Sequence, residues 1–167
     1  ELVRKLESKN RDLKHLAETD GLTGIPNHRK IQGILRREIK RSERYGHPLT
    51  TMMADLDHFK RINDSHGHPV GDRVLKKLSR LFEEEIRTVD FVGRYGGEEF
   101  LFVFPDTDAS SAMTLAERIR LRVEKFDINI DGTRLSPTIS IGLSDRKAGK
   151  NIDARALLTR ADQALLH

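Results

Sequence analysis

The stretch Asp90-Phe91-Val92-Gly93-Arg94-Tyr95-Gly96-Gly97-Glu98-Glu99-Phe100-Leu101-Phe102-Val103-Phe104 decides the fold. Asp90 to Arg94 and Glu99 to Phe104 read as two β segments, and Tyr95-Gly96-Gly97-Glu98 between them reads as the turn of a hairpin. Paired glycines supply positive φ where a tight turn demands it. Upstream, Leu49 to Leu56 (LTTMMADL) is a nearly continuous apolar run with Asp55 at its end. Such a run predicts a central strand covered on both faces. With the hairpin beside that strand, Asp55, Glu98 and Glu99 converge on one cleft.

The remaining pattern fills in around this sheet. Asn27 is positioned to cap a helix whose apolar residues Ile31, Ile34, Leu35 and Ile39 keep helical spacing to about Tyr45, with Gly46 closing it. Helical spacing returns over His58 to Asp64 and over Pro69 to Ile86, with Ser65-His66-Gly67-His68 as the turn between them. Asp108 caps a helix to about Phe126, two strands follow near Phe126 to Ile130 and Arg134 to Leu143, and a last helix starts at about Asp153. This order predicts an α+β domain with a mixed, mainly antiparallel central sheet of about five strands flanked by helices. Ahead of it, Leu2, Leu6, Leu13 and Leu16 fall on a and d positions of a heptad, with Lys9 at the intervening d. Residues 1–18 are therefore expected to form a helical stalk, either paired with a second copy or packed on its own domain; two heptads do not separate the two.

The 167 residues, 37% of them hydrophobic, suit one globular domain with a short appendage. The absence of cysteine removes disulfides, thiolate metal sites and thiol nucleophiles from consideration. No apolar run approaches a membrane span, so a cytoplasmic, soluble domain is expected. The chain begins at Glu1 rather than Met and is read as a piece of a longer protein. A net charge of +4 suits a polyanion, nucleotide phosphates as well as nucleic acid, although solvated helix faces at Lys5 to Lys14 and Arg29 to Arg44 account for much of it.

Hard oxygen ligands at a strand end suit Mg²⁺, which keeps several waters and takes one or two carboxylates plus substrate phosphates. Asp55-Leu56-Asp57 alone is weak, since surface carboxylates are common. Gly96-Gly97 is likewise open to two readings: turn geometry, or close approach of a ligand to the backbone. Asn63, His68 and Asp72 lie on a helix, a turn and the start of the next helix, so one pocket could receive all three. A carboxylate there accepts guanine N–H donors and an amide donates to O6; helix capping explains Asp72 equally well.

Taken in order, Asp20-Gly21-Leu22-Thr23-Gly24-Ile25-Pro26-Asn27, Asp55-Leu56-Asp57-His58-Phe59-Lys60-Arg61-Ile62-Asn63-Asp64, Gly67-His68, Gly71-Asp72, Arg94-Tyr95-Gly96-Gly97-Glu98-Glu99-Phe100 and Ser140-Ile141-Gly142 resemble the successive blocks of the GGDEF family of diguanylate cyclases, in its GGEEF form. The resemblance covers residues 19–167. It implies a fold similar to the palm of adenylyl cyclases and polymerases, and condensation of two GTP into cyclic di-GMP by a homodimer. It further implies Mg²⁺ or Mn²⁺ held by Asp55, Glu98 and the backbone carbonyl of Leu56, with Glu98 helping to deprotonate the ribose hydroxyl and Glu99 assisting. Asn63 and Asp72 would read guanine, His68 would touch the substrate and Leu22 would line the base pocket. His58 and Phe59 would offer backbone N–H groups to phosphate, Lys60 would offset developing charge, and Gly97 would admit the substrate. An upstream sensor domain, with membrane tethering through it, belongs to the same expectation.

Arg87-Thr88-Val89-Asp90 stands five residues before the signature, where the family's inhibitory cyclic di-GMP site lies, and Arg118 matches the second arginine of that site. Its plain alternative is a local surface ion pair. The family continues past its last helix with a lysine and a Gly-Arg-Asn segment, whereas this chain ends at Ala164-Leu165-Leu166-His167; a truncated end is expected, and the leucine at 166, where members often carry tyrosine, has no interpretation. Two other functions compete: a catalytically silent cyclic di-GMP receptor, and a basic nucleic-acid-binding module resting on charge alone.

Overall fold

A computed structural model describes residues 1–147 and 152–165, and of residues 11, 12 and 14–16 the backbone only. The Leu16 side chain and the chain end at Leu166 and His167 thus lie outside the described residues. Twelve elements follow in order: α1 (Leu2–Glu18), α2 (His28–Tyr45), β1 (Leu49–Leu56), α3 (Phe59–His66), α4 (His68–Glu85), β2 (Phe91–Arg94), β3 (Glu99–Pro105), α5 (Ala109–Glu124), β4 (Ile128–Ile130), β5 (Thr133–Leu135), β6 (Ile139–Arg146) and α6 (Ala154–Leu165). The main sheet has the order β2-β3-β1-β6, every pairing antiparallel.

β1 is central and divides two cores by its alternation. Met52, Ala54 and Leu56 share one core with Phe100, Phe102 and Phe104 of β3 and with α4 and α5. Leu49 and Met53 face the other, with Leu101, Val103, α2 and α6. Phe82 meets Phe100 and Phe102 edge-on, at 5.0 and 5.2 Å between centroids, contacts that add roughly 0.5–1.5 kcal/mol each beyond area burial. By the same alternation Asp55 shares the face of Met53, toward α6.

The expected α+β layering is present, with four strands in the main sheet rather than about five. The segment read as one strand from Arg134 to Leu143 divides: β5 pairs with β4 in a separate ribbon, and β6 pairs with β1. Pro137 lies in the break, where it cannot donate to a ladder and restricts Ser136 before it. The caps expected at Asn27 and Asp108 are present: Asn27 accepts from the Lys30 N–H at 3.0 Å and Asp108 from Ser111 at 2.8 Å, while Gly46 is left-handed. Asp153, where the last helix was expected to start, also caps it, accepting from the Ala156 N–H at 2.8 Å.

α1 leaves the domain with Leu2, Val3, Leu6 and Leu13 exposed. Its C-terminal end is nevertheless fastened: Asn27 Nδ2 donates to the Ala17 carbonyl at 3.0 Å, the Asn27 N–H to Glu18 at 2.9 Å, and Lys30 pairs with Glu18 at 2.8 Å.

Candidate active site at the end of the central strand

The antiparallel register sets Asp55 opposite Glu99, and the Leu56 N–H donates to the Glu98 carbonyl at 3.2 Å. Three acids therefore meet at the C-terminal end of β1, as the sequence predicted. None of the three takes part in an ion pair among the described residues. Burial, followed by the charges of Glu98, Glu99, Asp57 and Asp162, pushes the Asp55 carboxyl up to about 6. Glu99 is raised too, by burial and then by Asp162 and Glu98.

Asp162 escaped the sequence reading. It belongs to α6, which seats closely on β6 because residue 142 is glycine: a Cβ there would lie 1.9 Å from the Ala161 carbonyl oxygen. The only signal available was its position next to Ala161 on the buried face of the last helix.

Asp57, by contrast, is committed to structure. Its carboxylate accepts from Thr138 Oγ1 at 2.7 Å and Ser140 Oγ at 2.6 Å, and its N–H donates to the Thr138 carbonyl at 2.9 Å. That clamp holds the loop entering α3 against the start of β6. His58 follows with φ 55°, ψ 30°, a left-handed conformation uncommon for a residue with a Cβ. α3 opens directly after that turn, so His58 and Phe59 follow within three residues of Leu56 at the end of β1.

The hairpin glycines need correction. Neither Gly96 nor Gly97 has positive φ, because the turn is longer than a two-residue loop: Tyr95 and Gly96 N–H groups both donate to the Glu99 carbonyl, at 2.8 and 3.2 Å. Gly96 lies against the Glu99 side chain: a Cβ there would sit 2.6 Å from Glu99 Oε2, so a larger residue would displace that carboxylate. Gly97 is exposed, and a Cβ there would meet nothing within 4 Å; its backbone is open to approach.

The loop from Asp20 to Asn27 braces this turn. Arg94 reaches Asp20 with Nη1 at 3.2 Å and the Gly97 carbonyl with Nη2 at 2.8 Å, and its N–H donates to the Pro26 carbonyl at 2.8 Å. Burial works against ionisation of Asp20, but the Thr23 hydroxyl and N–H, with Arg94, hold its carboxyl below the usual range. His28 stacks on Tyr95 at 4.4 Å and bonds its carbonyl through Nδ1 at 2.6 Å. Leu22, in the same loop, packs against the core on the α4 side.

Asn63 and Asp72 lie on adjoining helices, with Gly71 directly against the Asn63 carboxamide. His68 is the first residue of α4, and His68, Asp72 and Lys60 are all exposed. The acids thus lie toward α2 and α6, and the residues predicted to read guanine lie toward α3 and α4, with the end of β1 between them.

Arg87 and Asp90 sit at the opposite end of β2 from the hairpin. The Arg87 fork grips Asp90 through Nε at 2.9 Å and Nη2 at 2.7 Å, and Nη2 also donates to Thr107 Oγ1 at 2.7 Å. The Asp90 side chain is fully buried while that of Arg87 is half exposed. Arg118 donates to the Glu85 carbonyl and pairs with its carboxylate at 3.3 Å, and Arg122 meets the same carboxylate at 2.7 Å. The Arg87–Asp90 ion pair weighed from sequence is present, but with Asp90 buried it is not a surface pair; Arg118 contacts Glu85, two residues before Arg87 in the chain.

Among the described residues no three His, Asp or Glu side chains are grouped so as to hold a metal by themselves. Two carboxylates with an adjacent carbonyl, Asp55, Glu98 and Leu56, nevertheless fit a Mg²⁺ that completes its shell with water and phosphate, and the raised Asp55 marks negative charge that a cation would offset.

This layered α+β domain, with a glycine turn and an acidic strand end, is of the nucleotide-cyclase palm type. The profile "Diguanylate cyclase, GGDEF domain" matches residues 17–167, and the chain belongs to that family. It is 41% identical over 152 residues to the response regulator PleD of Caulobacter vibrioides, covering 90% of this chain and 33% of PleD. Among solved structures, the coiled coil and GGDEF domain of DgcB from Caulobacter crescentus, in complex with c-di-GMP, is similar with a TM-score of 0.91 and 31% identity, over 98% of this chain and 86% of that one. The diguanylate cyclase SiaD of Pseudomonas aeruginosa, solved with its activator SiaC, is similar with a TM-score of 0.86 and 38% identity, over 99% of this chain and 63% of SiaD. The chain spans about a third of PleD's length.

Proposed function

We propose that this chain condenses two GTP into cyclic di-GMP and two pyrophosphates, each of two copies presenting one GTP. The observation that carries the reading is the convergence of Asp55, Glu98 and Glu99 at the end of β1, with no ion pair to balance any of them among the described residues. A divalent cation there supplies charge neutralisation at the phosphates and activation of the attacking hydroxyl. Asp55, Glu98 and the Leu56 carbonyl would hold it. Glu98 accepts the ribose 3′-hydroxyl proton, with Glu99 beside it. The His58 and Phe59 N–H groups bind phosphate oxygens at the turn into α3, the Lys60 ammonium offsets the charge that develops there, and the left-handed His58 sets the angle of that turn. Asn63 and Asp72 select guanine, with His68 and Leu22 bounding the base and Gly97 leaving room along the turn.

The exposed leucines of α1 support pairing of two copies through the stalk, which would bring the two half-sites together. Arg87, Asp90 and Arg118 form the edge at which the product would bind and inhibit, since arginine forks bond guanine and phosphate alike. No described helix is long and apolar enough to cross a membrane; with GTP as substrate, we place the domain in the cytoplasm, under a sensor elsewhere in the full-length protein.

The test is product analysis by mass spectrometry after incubation with GTP, with and without Mg²⁺. Wild-type protein is expected to yield cyclic di-GMP only with the metal. Glu98→Ala lowers the rate by roughly 10²–10⁴, the range for removing a general base, with an unchanged circular dichroism spectrum. Near-normal turnover in that variant refutes the assignment. Binding of cyclic di-GMP without any turnover by wild-type protein would instead favour the receptor reading.

A further inference from the structure

Among the described residues, Asn63 holds one of three buried side-chain polar atoms without a hydrogen-bond partner: its Oδ1. What it faces is the backbone of Gly71 on α4. A Cβ at residue 71 would lie 1.9 Å from that oxygen, 3.0 Å from Asn63 Cγ and 3.1 Å from Phe59 Cζ. Gly71 is buried and helical with ordinary negative φ, so glycine is not there for backbone freedom, and in a helix interior it costs about 1 kcal/mol against alanine. Its α-hydrogen points at Oδ1, the arrangement of a weak C–H···O contact. The other end of the carboxamide, Nδ2, makes no hydrogen bond among the described residues. With one end sealed against α4, the amide has one donor end left for a ligand.

We propose that Gly71 is the positioning residue for guanine recognition: its missing side chain is the socket that orients the Asn63 amide so that Nδ2 is presented to the base. This rests on the reading of Asn63 as a guanine contact. Gly71 touches no substrate and acts only through Asn63. Adding one methyl group would drive the carboxamide out of its socket while leaving Asp55, Glu98 and Glu99 in place.

The experiment is a double-mutant cycle read by calorimetric binding of a methylene-bridged, non-transferable GTP analogue and of its adenine counterpart. Asn63→Ala and Gly71→Ala are each expected to weaken the guanine analogue on the order of ten- to a hundred-fold, the loss of one buried hydrogen bond with its partner left unpaired. The adenine analogue is expected to bind all variants alike. The double variant is expected to match Asn63→Ala within about two-fold, because the group that Gly71 positions is gone. If the two losses multiply, or if Gly71→Ala binds as wild type while Asn63→Ala does not, the positioning role falls and the Asn63 assignment stands. If Asn63→Ala leaves guanine binding unchanged, both fall. Should Gly71→Ala fold poorly, recovery of its melting temperature in the double variant reports the same contact, and lack of recovery overturns it.

Discussion

At neutral pH the Asp55 carboxylate is ionised beside two other acids, accepts no hydrogen bond among the described residues and is partly withdrawn from water. Its carboxyl is raised from 3.8 to about 6. A two-unit shift corresponds to about 3 kcal/mol, but the group remains largely open to solvent, and screening brings the penalty to about 1–1.5 kcal/mol. Between pH 3.8 and about 6 the folded state binds more protons than the unfolded chain, so stability falls as pH rises across that window and the full penalty persists above it. Asp55→Asn keeps the shape and removes the charge. It is expected to abolish turnover and, in metal-free buffer at pH 7.5, to raise the melting temperature by about 3–5 °C for a chain of this size. Thermal unfolding followed by circular dichroism at pH 7.5, 6 and 4 checks this, the advantage shrinking toward pH 4. A variant no more stable than wild type at pH 7.5, or one whose advantage is the same at pH 4, refutes the argument.

Arg87→Ala is expected to relieve inhibition by cyclic di-GMP, raising the half-inhibitory concentration at least about ten-fold with the initial rate retained; unchanged inhibition in a progress-curve assay would show that this edge does not bind the product. Paired stalks predict that specific activity climbs with protein concentration until dimerisation saturates. Leu6→Glu with Leu13→Glu is expected to shift that rise to higher concentration, and sedimentation showing the same oligomeric state in both proteins would count against the stalk as the pairing element.

β1, the hairpin and the caps of α2 and α5 were readable because each depends on a local signal: an apolar run of strand length, a Gly-Gly turn, a side chain placed to accept from an N–H three residues on. The division of residues 134–143 was not, since β6 gains its partner from β1, some ninety residues earlier. The acids at the site were legible because register follows from the hairpin. Asp162 was not, because its approach depends on how closely α6 lies on Gly142, a tertiary fact. The glycines of the turn were identified correctly and explained wrongly: neither has positive φ, and Gly96 instead lies against the Glu99 carboxylate, which no reading of turn chemistry would weigh. Asp57 illustrates the converse, a carboxylate placed by motif beside the site and spent on two hydroxyl groups of β6.

The brace between α1 and the glycine turn also sets what a force on the stalk can move. Asp20, Pro26 and His28, all within ten residues of the end of α1, bond directly to Arg94 and Tyr95, while β1 and Asp55 stay anchored between two packed layers. A pull on α1 would therefore reach the tip of the hairpin before anything else in the cleft, as a bell-rope reaches its clapper.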